Sequence, residues 1–560
     1  MDRIKAHFVG QFTRSELGMV SHGAFLQSKS LQSIYLSSYD DPFRVRIIRF
    51  GQQGVGIEPG NNLKRIVVVG GGIAGLAAAY RLQERHSSEL APCEVMLLEA
   101  GSRPGGVIGT TCRDGFILES GPDTLFTDKP WAVDLIRRLD LSDRIIGTSE
   151  IHRRTFVAMG KTLHPLPEGF TLLAPTRIWP FLRSGLLTWR GKARMALDLV
   201  LPRGQPSPDE SLASFVRRRL GAEALERLAQ PMIGGIYSAD PERLSLQATF
   251  PQFLQMEAQH RSLILALRRK RLSASGKTRT KSDSGPRYSL FATLDNGLQA
   301  LVDALVRRLP AGTVRLGCPV AGIARREKGW TIRLKDGTNI EADGVILAVP
   351  AFQTAVLTHD LDGDLARELE AIPYASSVTI SLAYRKDAIP HPLDGFGFVV
   401  PACEGRTIIA CSFSSVKFAN RAPAGHALLR TFAGGALQPE PFEWDDERLL
   451  TAVRHDLKEL LGIETAPLWS HLVRHPQSMP QYHVGHLARL ATLERQLRRW
   501  PTLKLAGNAY RGVGVPDAIR SGEAAADALL AELTPAQGEE YAGTMLTEPS
   551  GACAAGDSLL

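Results

Sequence analysis

The chain reads as an α/β protein whose parallel sheet is assembled from separated segments, and three observations carry that reading. Arg65 to Val69 is a short β-branched run of the kind found in buried parallel strands. Gly70-x-Gly72-x-x-Gly75 and an Ala- and Leu-rich helical stretch from Leu76 follow it directly. Far downstream, Gly344-Val-Ile-Leu-Ala-Val and Leu503-Lys-Leu-Ala read as further strands, the first of them returning to the same sheet. At 560 residues, and roughly 100–200 residues per domain, the length allows two to four domains.

Composition excludes several classes. With 44% hydrophobic and 22% charged residues, the bulk of the chain is neither disordered nor collagen-like. The six cysteines show no Cys-x-x-Cys spacing, which excludes a zinc ribbon or a dithiol redox motif and suits a reducing compartment. No metal site is expected. The formal charge of +8 is mostly local. Arg268, Arg269, Lys270, Arg271, Lys277, Arg279, Lys281 and Arg287 face only Asp283, so this stretch alone carries +7. A body-wide basic field for nucleic acid is not supported.

The glycine turn has a specific physical use. Gly70 permits a tight turn, Gly72 lets backbone approach a pyrophosphate, and Gly75 lets helix and strand pack closely. The helix start then offers free N–H groups to phosphate. The second strand, Glu94 to Leu98, ends at Glu99, where an acid can bind ribose hydroxyls and would repel a 2′-phosphate. A ligand-free βα turn is the alternative at this point. No second complete G-x-G-x-x-G occurs, which favours an oxidase over a pyridine-nucleotide reductase. Trp330 to Asp343 reads as a hairpin around a two-residue Asp336-Gly337 turn.

Glu99-Ala-Gly-Ser-Arg103-Pro-Gly105-Gly106 resembles the second nucleotide signature of the FAD proteins of the amine oxidase and phytoene desaturase superfamily. The resemblance implies that Arg103 pairs with the pyrophosphate, and that Gly105 and Gly106 pass beneath the flavin. It places Gly121 and Pro122 of Glu119-Ser-Gly-Pro near the isoalloxazine and Val320 near adenine. Gly507, Val513, Gly514 and Val515 would form a second FAD segment ahead of an Ala-rich helix. The implied fold is a discontinuous Rossmann-like FAD-binding domain with an α+β substrate domain and a helical lobe.

Within that superfamily the chain resembles the protoporphyrinogen oxidase family over about Arg65 to Leu530. Stretches resembling that family include Arg154-Thr-Phe-Val-Ala-Met-Gly160, Gly395-Phe-Gly-Phe-Val-Val-Pro401 and Pro480-Gln-Tyr482-x-x-Gly485-His486. The resemblance implies that Arg154 meets a propionate of a tetrapyrrole and that Phe396, Gly397, Val399 and Phe432 wall the porphyrinogen. The residue types alone also fit a surface arginine and plain core phenylalanines. An extra residue, Thr162, departs from the family pattern after Gly160. The implied chemistry is a six-electron aromatisation through three FAD cycles, with oxygen as acceptor and no catalytic side chain assigned. Rival readings are coproporphyrinogen III oxidation, another FAD-dependent desaturase or amine oxidase, and a flavin-free scaffold like the GDP dissociation inhibitors.

The expected organisation runs as follows. A poorly ordered extension (1–63) precedes FAD-binding parts 64–150, 288–360 and 491–534, with substrate parts at 151–168 and 361–490. A helical lobe at 169–267, a basic linker at 268–287 and a disordered tail at 535–560 complete it. An organelle presequence is the rival for the extension. Trp179, Phe181 and Trp189, beside Arg177, Arg183 and Arg190, offer an interfacial surface, with a helical lid as the alternative. The expected location is cytoplasmic, peripheral on the inner face of the membrane, and a homodimer is among the expected partners.

Overall fold

In the computed structural model the described residues are 17–20, 23–28, 31–37, 63–87, 93–167, 170–171, 174–175, 177–204, 209–276 and 290–534. Two units separate, Met1–Leu63 and Lys64–Leu560. In the first, strands Leu17–Val20, Gly23–Ser28 and Leu31–Ser37 form an antiparallel meander, where the sequence pattern suggested no regular element. The tail 535–560 and the basic residues Lys277 to Arg287 lie outside the described residues. The start of the expected basic linker is instead helical, because the helix Leu263–Gly276 runs through Arg268 to Arg271.

The second unit is organised around a five-stranded sheet, parallel throughout. Its strands run Val314–Arg315, Cys93–Leu98, Lys64–Val69, Gly344–Leu347, Leu503–Leu505 in spatial order. The β-branched run explains the central position, since Ile66, Val67, Val68 and Val69 are buried on both faces. Helices Ile73–Ser87 and Val515–Leu533 cover one face together. Small residues bring them close: a Cβ at Gly522 would fall inside contact distance of the Ala74 carbonyl. The opposite face is covered by the antiparallel sheet Val320–Arg325, Trp330–Leu334, Asn339–Ala342. Its hairpin closes through a three-residue loop, not the expected two-residue turn. The Leu334 amide donates to the Thr338 carbonyl at 2.8 Å, and Gly337 alone among the loop residues adopts positive φ, +89°.

A seven-stranded mixed sheet forms the second layer system. Its spatial order is Thr162–Pro165, Thr155–Met159, Gly397–Val399, Ile408–Phe413, His426–Gly434, Tyr374–Arg385, Trp469–Pro480. One face, carrying Phe156, Phe398, Phe413, Leu429 and Ile380, packs under helix Asp446–Leu461. Thr162 pairs with Met159, so the extra residue is absorbed as a strand position behind the Gly160–Lys161 turn. The helical lobe is present as expected, with Phe215, Leu225, Leu228 and Phe253 in its core. Among the described residues, no helix is long and apolar enough to cross a membrane.

Candidate active site

The carboxyl ends of the parallel strands gather the candidate cofactor residues. Gly70 follows the first strand, Glu99 the second, Val320 lies just past the edge strand, and Gly507 follows the last. In open α/β sheets ligands bind at this edge. Gly70 has φ +107°, and a Cβ there would lie 2.6 Å from the Ala348 carbonyl oxygen. A Cβ at Gly72 would meet nothing within 4 Å, which leaves open space directly over the start of helix Ile73–Ser87. A Cβ at Gly75 would collide with the Gly70 carbonyl. The turn therefore has the cradle that a dinucleotide phosphate needs.

Glu99 is fixed by backbone donors. Its Oε2 accepts from the Gly71 amide at 2.7 Å and its Oε1 from the Gly101 amide at 2.7 Å, leaving lone pairs for further donors. The Gly105 amide donates to the Gly71 carbonyl at 2.8 Å, so the Arg103–Gly106 loop lies against the phosphate turn, with Gly106 passing close to Gly72. The Arg103 guanidinium donates to the carbonyls of Ile108 and Gly106, both at 2.7 Å. Arg103 thus orders its own loop as well as placing a cation there. Val320 opens its strand half-buried, and the neighbouring Cys318 amide bonds the Glu99 carbonyl at 2.8 Å.

Gly121 and Pro122 sit where the two sheet systems meet. The Ser120 carbonyl accepts from Thr379 Oγ1 at 3.0 Å, His475 Nε2 at 2.9 Å and Arg430 at 3.2 Å, and Arg430 also donates to the Gly121 carbonyl. Thr379, Phe432, Ala410 and Val399 are in direct lateral register across the seven-stranded sheet. Strand alternation puts them on the face turned away from the helix-covered core. Arg430 shares that face, with its guanidinium carbon 4.9 Å from the Phe432 ring centroid. Val399 and Val513 both pack against the apolar cluster of the helical lobe that includes Tyr482.

Phe396 and Arg154 lie outside this register row. Phe396 shares the strand parity of core-facing Phe398, opposite to Gly397 and Val399, although it remains half-exposed. Arg154 lies at the sheet rim, with its side chain 65% exposed and ion-paired to Asp394 at 3.0 Å. The glycine at 397 has a backbone reason: with φ +138°, an added Cβ would strike the Cys411 carbonyl of the paired strand.

Sequence reasoning gave no role to the charges behind this junction. Asp123 lies 3.2 Å from Lys417 and 3.8 Å from Arg430. Burial alone would raise its pKa, but the two cations outweigh burial and hold the carboxyl well below the usual range. Burial depresses His475 and keeps it neutral, with Nε2–H donating to Ser120. Burial also raises the Glu119 carboxyl, which accepts from Thr110 Oγ1 at 2.7 Å. Lys129 Nζ reaches Asp517 at 2.6 Å in the first turn of helix Val515–Leu533. These pairs span up to 388 residues of sequence, so no local motif announces them.

Comparison with known proteins follows the same outline. The chain is 36% identical over 468 residues to a coproporphyrinogen III oxidase of Bacillus subtilis, covering 83% of this chain and 98% of that one. It is 37% identical over 510 residues to a coproporphyrinogen III oxidase of Propionibacterium freudenreichii, covering 86% and 94%. Against the protoporphyrinogen oxidase of Homo sapiens it is 32% identical, covering 83% and 98%. A crystal structure from Exiguobacterium sp. 255-15, provisionally assigned as a protoporphyrinogen oxidase, superposes with TM-score 0.74 at 31% identity, covering 84% and 99%. The model of the flavin containing amine oxidoreductases matches residues 73–530. With its phosphate cradle and two helix starts at one sheet edge, the chain belongs to the flavin containing amine oxidoreductase family, as an oxidase whose cofactor is FAD.

Proposed function

We propose that this protein oxidises a porphyrinogen to its porphyrin as a step of haem biosynthesis. The observation that carries the proposal is the register of Val399, Ala410, Phe432 and Thr379, an apolar wall fastened at Thr379 to the Ser120–Pro122 segment. Val399 and Phe432, half-buried beside the buried Ala410 and Thr379, leave the surface on which a flat macrocycle can lie with its reacting carbons toward the cofactor. Bound FAD supplies two-electron acceptance, so removal of six electrons and six protons takes three rounds, with three molecules of oxygen reduced to peroxide.

In this reading the protein binds, orients and excludes water. Gly72 and the start of helix Ile73–Ser87 receive the pyrophosphate, and Glu99 takes the ribose. Gly105, Gly106, Gly121, Pro122, Gly507, Val513, Gly514 and Val515 surround the flavin, and Val320 the adenine. Val399 and Phe432 hold the macrocycle face. Arg154, already pre-oriented by Asp394, offers its remaining donors to a carboxylate arm at the rim.

Protoporphyrinogen IX is the substrate that the family resemblance implies. A specific observation favours coproporphyrinogen III as the second reading: two relatives of that description reach 36 and 37% identity, against 32% for the human protoporphyrinogen oxidase. Aerobic turnover of each porphyrinogen, followed by porphyrin fluorescence, separates them. A larger kcat/KM identifies the substrate, and turnover of neither would overturn the proposal.

A membrane-surface contact is part of the proposal. Phe181, Leu186 and Leu187 are buried in the lobe, so the exposed apolar surface is carried by Trp179 (73% exposed), Trp189 (71%) and Val200 (66%). Exposed Arg177 and Arg190 flank them. Flotation with anionic liposomes at low salt, lost in Trp179→Ser/Trp189→Ser, supports the contact, and absence of flotation refutes it.

A further inference from the structure

The Pro480-Gln-Tyr482-x-x-Gly485-His486 stretch does more than mark a family. Tyr482 is 1% exposed, and its hydroxyl donates to the Asn508 carbonyl at 2.6 Å while accepting from the Gly512 amide at 2.8 Å. Its ring stacks on the His486 imidazole with centroids 4.1 Å apart and planes 11° from parallel. Nε2–H of His486 donates to the Tyr510 carbonyl at 2.9 Å, and burial keeps the imidazole neutral. Two stacked rings therefore hold three alternate backbone positions, 508, 510 and 512.

That backbone needs holding. Between strand Leu503–Leu505 and helix Val515–Leu533 the chain is irregular, with φ +129° at Gly507 and +110° at Gly512. Its polar groups have no ladder partners of their own, and the Tyr482 hydroxyl and the His486 imidazole supply three of them, beside Ser521 at Gly507 and Arg520 at Arg511. On its other side the same stretch is tied into the helical lobe. The Ser245 amide donates to the Tyr482 carbonyl at 2.8 Å, and the Val484 amide to the Arg243 carbonyl at 2.8 Å. Asp209 accepts from Ser245 Oγ at 2.8 Å and from the Gly485 amide at 3.0 Å. A continuous hydrogen-bonded path thus runs from Asp209 in the lobe to Gly512.

We propose that Tyr482 and His486 are positioning residues that set the placement of the 508–512 turn against the flavin and couple it to the helical lobe. The proposal rests on the reading of Gly507 to Val515 as the second flavin segment. Neither residue performs chemistry. They act through backbone, which is why a ring with a hydroxyl and an imidazole with one donor nitrogen are needed there, whereas packing alone would accept phenylalanine at 482.

Tyr482→Phe keeps the ring and the stack and removes only the two hydroxyl bonds. In the full chain, the FAD dissociation constant should rise about tenfold, as expected when a buried amide and carbonyl lose their partners. The visible spectrum of the flavin that remains bound should shift. His486→Phe, which retains a stacking ring but loses the donor to Tyr510, should shift both readouts in the same direction and serves if Tyr482→Phe folds poorly. A role in packing alone would lower thermal stability and leave both readouts at the wild-type values; that result overturns the proposal. Gly514→Leu separates this failure from failure of the underlying reading. If Gly514→Leu loses FAD while Tyr482→Phe and His486→Phe do not, only the positioning role is wrong; if Gly514→Leu also binds FAD normally, the segment is not a flavin contact.

Discussion

Arg430, 3% exposed, donates to the Ser120 carbonyl at 3.2 Å, fastening the strand that carries Phe432 to the segment leading into Gly121 and Pro122. One guanidinium thereby fixes the spacing between the proposed substrate wall and the proposed flavin segment. Arg430→Met should lower stability by about 3 kcal/mol, because the Ser120 and Gly121 carbonyls lose their buried donor and the half-buried Asp123 keeps one cation fewer. Urea denaturation monitored by circular dichroism checks this. Activity should fall more than the unfolded fraction explains, since the wall loses its anchor.

Asp198 and Arg219, 0% and 1% exposed, are joined by a 2.7 Å bond from Arg219 Nε, and Asp198 also accepts from Ser262 Oγ at 2.6 Å. Removing Asp198 leaves the buried Arg219 guanidinium with Glu257, 3.5 Å away, as its remaining counter-charge. Asp198→Ala should therefore cost about 3–5 kcal/mol, read as a lower urea midpoint, with FAD content unchanged in the protein that remains folded. A cost below about 1 kcal/mol contradicts the burial of this pair.

The space above Gly72 predicts a selective loss. A Gly72→Val side chain meets no protein atom near its Cβ, so the apo fold should survive while the phosphate position is filled. The purified variant should be colourless at an undiminished apo melting temperature. Retention of wild-type flavin absorbance contradicts the cradle.

Acid should act in two stages. His475 and His486 have folded pKa values below the usual 6.5, chiefly through burial. For such groups the unfolded state binds protons first, so stability present above about pH 6.5 is lost progressively as the pH falls below it. Asp123 follows the same sign lower down: its contribution is present above its unfolded value of 3.8 and is lost as pH falls further. Melting temperature should decline between pH 7 and 5 and steepen below about pH 4, and a flat profile over that range contradicts the assignment.

Much of the fold was legible because its signals are local. The run Ile66 to Val69, the glycine turn and the strand Gly344–Leu347 all carry their burial pattern in adjacent residues. The edge strand Val314–Arg315 is two residues long and has no pattern to read. The 335–337 loop differs from the expected turn because Asp336 keeps negative φ and spends its carboxylate on the Thr338 amide at 2.8 Å. The site divides the same way. Gly70, Gly72 and Glu99 come from one contiguous motif, whereas Lys129–Asp517 and Arg430–Ser120 exist only once segments distant in the chain are laid side by side. Tyr482 was visible as a motif, but its hydroxyl partners are backbone groups, which no side-chain pattern reveals.

The central claim is that a porphyrinogen reduces the flavin held by this chain. Its direct measurement is anaerobic mixing of the purified holoenzyme with protoporphyrinogen IX, and in parallel with coproporphyrinogen III, while following flavin absorbance. The account predicts bleaching of the flavin by at least one of them, with porphyrin bands appearing at the same rate. A flavin that stays oxidised in the presence of both contradicts it.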